Sequence, residues 1–201
     1  MRKLGILGLS IVMALSLVGC GGDKKDDTGK NQTTTEATTE VAVEITDSLE
    51  IFTTVWGTYG DDEKFAIAGG DYNNSVMDAP GKFNVTDAES LDAMLGVPAD
   101  SASMIDDAAS MMHMMNANTF TAGAYHVADP ANQQTFCDNL KNNIMNRQWM
   151  CGFPDTLIVV TIGDSYVVSA FGNAEIIENF KTKLTTEYPV ATVVYEESLV
   201  Q

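Results

Sequence analysis

Apolar residues recur at helical spacing in two segments of the first half of the chain. Asp47 and Glu50 form a capping-box pattern at the start of the first segment, which predicts a helix and the beginning of the folded part. Thr86 and Glu89 form the same pattern at the start of the second predicted helix. Between the two helices, the short apolar run at residues 65–68 predicts a strand.

The second half of the chain shows a regular succession of strand and helix patterns. The predicted strands are residues 120–127, 156–162, 165–171 and 190–195. Helices are predicted after Asp129-Pro130 and after Asn173, and Gly163-Asp164 forms a two-residue hairpin turn. The resulting order is the ferredoxin-like βαββαβ order. The sequence therefore predicts an α+β fold, with helices packed over an antiparallel sheet.

Residues 108–115 allow a second arrangement of the same sheet. The Asn116-Ala117-Asn118 turn would make them a hairpin partner of residues 120–127. In a ferredoxin-like sheet that first strand already has two neighbours, so the last strand would have to move aside. The alternative sheet consists of two strand–strand–helix units with the end strand at its periphery. The pattern leaves both sheet orders open, and it leaves open whether residues 104–115 form a strand or a helix.

The N-terminus has the pattern of a secretory leader that ends at a cysteine. Arg2 and Lys3 precede a short apolar run, which closes with Leu17-Val18-Gly19-Cys20. This ending resembles the lipobox of bacterial lipoproteins. The resemblance implies that residues 1–19 are a cleaved signal peptide and that Cys20 carries the acyl chains. It predicts a protein anchored by lipid at the extracytoplasmic face of the cell membrane, since two acyl chains hold a protein there without a membrane-spanning helix.

The segment that follows Cys20 has the composition of a linker. Residues 20–45 are dominated by Gly, Thr, Asp, Lys and Glu and show no apolar periodicity, which predicts a disordered spacer before one domain at 46–201. The whole chain has a formal charge of −17, and loss of the basic leader makes it more negative. Nucleic acid is therefore not an expected partner, because the field of the protein repels phosphates.

The lipobox cysteine, the Thr/Glu-rich spacer and the C-terminal block at 119–184 together resemble one group of lipoproteins. These are Gram-positive (Firmicute-type) lipoproteins that carry an uncharacterised C-terminal domain of unknown function. The resemblance covers most of the mature chain and implies a location and a fold. It brings no biochemical activity with it.

The run from Met111 to Met115 is the most unusual local composition. Thioether and imidazole groups are ligands for soft Cu(I), which makes Met111, His113 and Met115 candidate metal ligands. In a strand, however, Met112 and Met114 point to the opposite face, so only part of the run can converge on one ion. Methionine also fills gaps in apolar cores, and packing is the favoured interpretation, with Met112 and Met114 in the core.

Two other motifs do not support an enzyme or a calcium site. Gly163-Asp164-Ser165 matches a lipase triplet, but its late position and turn context favour a structural role. The loop that starts at Asp71 lacks the glycine and the glutamate of a calcium-binding loop. With no catalytic constellation and no cofactor motif, we expect a binding or surface-organising module. The alternative is a soft-metal or small-ligand receptor, and the protein or small-molecule partner is left open.

Cys20→Ala should prevent lipidation, because the lipobox interpretation makes this sulfur the acylation site. We expect either a precursor that keeps its leader or a soluble product in the aqueous phase of a detergent extraction. Replacement of Cys137, a cysteine of the predicted domain, should leave a lipidated protein in the detergent phase. A wild-type protein with an unmodified mature N-terminus would contradict the prediction.

Overall fold

The computed structural model describes residues 44–150 and 152–200. The predicted leader, the predicted lipidation site Cys20, most of the predicted linker and Cys151 lie outside these residues. Among the described residues, no helix has the length and apolar character needed to cross a bilayer.

Each helix is followed along the described chain by one to three strands. The helices are α1 (Ser48–Gly57), α2 (Ala88–Ser90), α3 (Gln133–Met145) and α4 (Ala174–Glu187). Leu91–Leu95 continues α2 as a π-helical turn, and 3₁₀ turns occupy Ala99–Met104 and Pro130–Asn132. The strands are β1 (Ile67–Gly69), β2 (Val76–Met77), β3 (Gly81–Phe83), β4 (Ile105–His113), β5 (Phe120–Val127), β6 (Thr156–Ile162), β7 (Tyr166–Gly172) and β8 (Ala191–Ser198).

All strands join one antiparallel sheet in the order β2-β1-β4-β5-β7-β6-β8, and β3 also pairs with β4. The predicted α+β class, an antiparallel sheet with helices packed over it, is confirmed. The ferredoxin-like order is not found: β8 pairs with β6 and not with β5, whose two edges are taken by β4 and β7. The sheet instead consists of two strand–strand–helix units, with β8 added at the edge.

Strand β4 pairs with β5, as the sequence of the turn at residues 116–118 indicated. Ser110 lies opposite Gly123, and Met111 lies opposite Ala122. The register shifts between Ile105 and Asp107, so that Asp106 forms a bulge in β4. Bulges of this kind bend a strand and redirect one side chain. Residues 105–113 are therefore strand, which answers the question that the sequence left open.

Helices cover both faces of the sheet. On one face, Phe180 of α4 packs against Phe52 of α1 and Phe120 of β5, with ring centroids 6.1 and 5.4 Å apart. On the other face, α3 and the π-helical turn cover a second apolar cluster. Neighbouring residues of β6 alternate between the clusters, since Val160 belongs to the first and Val159 to the second. The central strands are thus apolar on both sides.

The helix starts follow local sequence signals, with some differences from the predicted boundaries. Asp47 caps α1 and Asn173 caps α4, as the pattern predicted. The cap of α2 is Asp87 and not Thr86, because the Asp87 carboxylate accepts the Ser90 N–H at 3.0 Å. The β6–β7 turn was predicted one residue too short. Ile162 pairs with Tyr166, which leaves a three-residue loop.

The loop that starts at Asp71, which the sequence predicts not to bind calcium, uses the Asp71 carboxylate for its own hydrogen bonds. Asp71 is buried, and its carboxylate accepts hydrogen bonds from the backbone N–H groups of Asn73, Asn74 and Asn84, at 2.8, 2.9 and 3.1 Å. Desolvation raises the pKa of this carboxyl, but the hydrogen bonds outweigh it and hold the pKa below its ordinary value. The carboxylate therefore organises the loop itself.

Asp71→Asn should destabilise the domain by about 1–3 kcal/mol at neutral pH, since an amide nitrogen would face backbone donors. Because the folded-state pKa is lowered, the stabilisation by Asp71 is complete above the unfolded-state value of about 3.9 and is lost as pH falls through the folded-state value. The difference in melting temperature between the wild type and the variant should shrink below about pH 4. A constant difference from pH 7 to pH 3 would contradict this role.

Candidate functional site

Four large apolar side chains are exposed on two loops at one end of the sheet. Met114 and Met115 follow β4, and their residues are 43% and 79% exposed. Met150 and Phe153 lie in the loop that precedes β6, at 80% and 72% exposure. We call these four residues the methionine tip. Several exposed apolar residues on neighbouring loops are a feature of interaction surfaces, whereas single exposed apolar residues are common on any protein.

Asn118 joins the two loops. Its side-chain amide donates hydrogen bonds to the carbonyl oxygens of Met150 and Gly152, at 3.3 and 2.9 Å. Gly152 has a φ of +116°, a backbone conformation that favours glycine. The amide of Asn118 therefore fixes the position of one half of the methionine tip relative to the other.

A polar pocket of about 250 Å³ lies between the two loops of the methionine tip. It is lined by Asn116, Asn118, Thr119, Gly152, Phe153, Asp155 and Asn173. Asp155 Oδ2 accepts the backbone N–H of Ala174 at 3.1 Å, at the N-terminus of α4. A carboxylate already occupies this helix end, so the pocket disfavours anions. Its amides suit a ligand that both donates and accepts hydrogen bonds, such as a peptide backbone.

The candidate metal ligands Met111, His113 and Met115 are in three different environments. Met111 is fully buried in the core that α1 and α4 cover. His113 stacks on Phe65 with ring centroids 5.5 Å apart, and its Nδ1 accepts the backbone N–H groups of Met115 and Asn116, both at 3.2 Å. Met115 is exposed. The imidazole thus organises the turn after β4 through one of its nitrogens.

The packing prediction for the methionine run is right for one side chain and wrong for another. Met112 is half-buried and packs against the second apolar cluster. Met114 was expected in the core but is exposed, because β4 ends at His113 and strand alternation ends with it. Among residues 44–150 and 152–200, no group of three or more His, Cys, Asp or Glu side chains is placed to hold a metal ion.

In the described residues, the serine of the lipase-like triplet is not hydrogen-bonded to a histidine. Gly163, with a φ of +58°, Asp164 and Ser165 form the β6–β7 turn, and the Ser165 carbonyl accepts the Val127 N–H at 2.7 Å. His126 Nδ1 lies 2.5 Å from Asp106 Oδ1. In the described part of the chain, no hydrogen bond connects Ser165 Oγ with either histidine. This agrees with the interpretation of the triplet as a turn.

Comparison of the chain with known protein families, with curated proteins and with solved structures finds no match. The candidate site is therefore identified from its geometry alone. Two of its four apolar residues, Met150 and Phe153, were not singled out from the sequence. The signal that was available is the pair of large apolar residues on either side of Cys151-Gly152, next to a break in helical periodicity.

Met111→Ala and Met115→Ala should differ in their effect on stability, because Met111 lies in the core and Met115 lies in the methionine tip. Removal of the buried Met111 side chain should cost about 2–5 kcal/mol in unfolding free energy, as in other large-to-small core changes. Met115→Ala should change stability by less than about 0.5 kcal/mol, because the side chain is exposed. Urea unfolding of both variants measures the difference, and equal costs would contradict the assignment.

Proposed function

We propose that the protein is a lipid-anchored binding module, held at the extracytoplasmic face of the membrane through Cys20, and that the methionine tip binds a basic polypeptide. The observation that carries the proposal is the bonding of the Met150–Phe153 loop to Asn118, which brings the two loops with exposed apolar residues together beside an amide-lined pocket that Phe153 also lines. The membrane and the protein partner are thus contacted through different parts of the chain.

The methionine tip and the first described residues lie at opposite ends of the domain. The described chain starts next to Tyr166, whose hydroxyl donates to the Ile45 carbonyl at 3.2 Å. Tyr166 begins β7, and Gly172 ends it beside Phe120, at the end that carries the tip. At about 3.3 Å per residue, β7 separates the two ends by about 20 Å. The tip and Ile45 therefore belong to different surfaces of the domain.

The chemistry of the tip favours a polypeptide with apolar anchors and positive charge. Methionine side chains are flexible and polarizable, and they adapt to apolar groups of different shape. The net charge of −17 attracts basic partners and accelerates their encounter. A basic amphipathic segment supplies both features, with apolar side chains against the tip and lysines toward the acidic domain.

The soft-metal receptor is the competing proposal, and it predicts a different result. If Met115 and His113 bound Cu(I), Met115→Leu would keep the apolar surface and lose the metal, because the thioether sulfur is the ligand. The binding-module proposal expects Met115→Leu to behave as the wild type towards peptide. A Cu(I) affinity in the sub-micromolar range that disappears in this variant would favour the receptor.

A basic amphipathic peptide of Lys and Leu residues is a suitable probe for the tip. We expect saturable binding by fluorescence anisotropy that weakens as salt rises, since screening reduces the attraction of charges. Met115→Ser with Phe153→Ser should weaken binding about tenfold or more, because two apolar contacts of about 1 kcal/mol or more are lost. The matched control is Tyr72→Ser with Met77→Ser, a pair 71% and 58% exposed near the β2 edge.

The control variant should bind the peptide as the wild type does. Equal losses in both variants would show a non-specific response to exposed apolar residues and would contradict the proposal. Equal binding of a peptide in which Gln replaces Lys would contradict the proposed role of charge.

A further inference from the structure

Four asparagines lie along one side of α3 and its C-terminal end: Asn139, Asn142, Asn143 and Asn146. They are three and four residues apart, a spacing that places side chains on the same side of a helix. They border two pockets, of about 510 and 340 Å³, between α3 and residues 88–101. Asn143 and Asn146 line both pockets, so the pockets are neighbours. We call the two pockets together the asparagine groove.

Two of the asparagines hold the groove in shape. The Asn143 side-chain amide donates to Asp92 Oδ1 at 2.7 Å and to the Gly96 carbonyl at 2.9 Å. The Asn139 amide donates to Ser101 Oγ at 3.0 Å. These bonds connect α3 with the opposite wall, so the groove is formed before any ligand binds. Pre-formed concave sites with converging polar groups are typical of small-ligand binding.

The other two asparagines do not connect α3 with the opposite wall. Asn142 and Asn146 are exposed, and the Asn146 amide donates to the Asn142 carbonyl at the end of the helix, at 2.8 Å. Among the described residues, the side chain of Asn142 has no hydrogen-bond partner. Asparagine is a poorer helix former than alanine within a helix, so Asn142 has a cost in α3. Its place beside a formed groove points to contact with a ligand.

The groove offers free hydrogen-bond donors as well as free acceptors. Each side-chain amide has two N–H groups: Asn143 uses both, Asn139 and Asn146 use one each, and Asn142 uses neither. The amide oxygens and the carboxylates of Glu89 and Asp100 are the acceptors. A ligand that fits must therefore both donate and accept hydrogen bonds.

The N–H donors of the groove separate hydroxyl groups from amines as ligands. Arg147 lines the groove, donates to the Asp92 carbonyl and lies 3.7 Å from Asp92 Oδ1. Its other N–H groups and those of Asn142 suit an acceptor, which a charged amine does not supply. Ala88, Ala93 and Ala99 form small apolar walls that suit C–H groups. Hydroxyl groups on a neutral ring with C–H faces both donate and accept, and they satisfy all of these features.

We propose that the asparagine groove binds a neutral oligosaccharide. The outer asparagines, Asn142 and Asn146, accept hydrogen bonds from sugar hydroxyls, and the alanine walls contact the ring carbons. The groove shares no lining residue with the pocket at the methionine tip, so the two proposals stand independently.

Side-chain amide resonances of the full chain report on this site directly. Neutral tetrasaccharides of glucose, mannose, galactose or N-acetylglucosamine are titrated, with spermidine and a neutral extended peptide as comparison ligands. We expect at least one saccharide to shift the Asn142, Asn143 and Asn146 signals saturably. Asn142→Ala with Asn146→Ala should weaken this binding about tenfold or more, through the loss of two acceptors.

Lys141→Ala is the matched control, because Lys141 lies on the same helix over the Tyr195 ring, with Nζ 4.6 Å from its centroid. It should leave saccharide binding unchanged. The double asparagine variant should stay folded, with the circular dichroism spectrum of the wild type, because both side chains are exposed. This separates lost binding from lost folding.

Three outcomes would overturn the proposal. They are no saturable shift with any saccharide, equal weakening in the Lys141 control, and stronger shifts of the same signals by spermidine or by the peptide.

Discussion

A β-strand has two edges for hydrogen bonding, and β5 uses one for β4 and the other for β7. This constraint determines the rest of the sheet. A ferredoxin-like arrangement would need β8 beside β5, but that edge is occupied, and β8 pairs with β6 at the opposite side. The short strands β1, β2 and β3 then extend the sheet beyond β4. Two hairpins, each followed by a helix, become the repeated unit, and β8 is the terminal strand on which one edge stays unpaired.

The two helix layers restrict where function can be located. Because α1 and α4 cover one face and α3 the other, the central strands expose almost no side chain: every residue of β5 except His126 is buried. Met111 illustrates the effect, since the same thioether that looks like a metal ligand in the sequence is enclosed by the core. Accessible chemistry is therefore confined to the loops at the strand ends and to the outer surfaces of the helices. The methionine tip and the asparagine groove occupy these two kinds of position.

Local features of this fold were predictable, whereas its long-range pairings were not. The strands at 120–127 and 156–162 and the caps Asp47 and Asn173 follow from patterns within a few residues. The position of β8 depends on competition between strands far apart in sequence, which no local pattern contains. The contacts that form the methionine tip and the asparagine groove also join residues far apart in sequence. Asn118 meets Met150 and Gly152 more than 30 residues later, and Asn143 meets Asp92 across 51 residues. The error at Met114 arose because strand alternation was continued beyond the end of β4.

The edge position of β8 has a consequence for the order in which the molecule forms. The β4–β5 and β6–β7 hairpins join strands close in sequence, so each can close with a small loss of chain entropy. The last strand must wait until β6 is in place and α4 has folded back over the sheet. It is also half-exposed or exposed along its whole length, and Val193 and Glu196 are among its exposed residues. We therefore expect β8 to be the last strand to join during folding and the first to open, so that hydrogen exchange there is fast relative to β5.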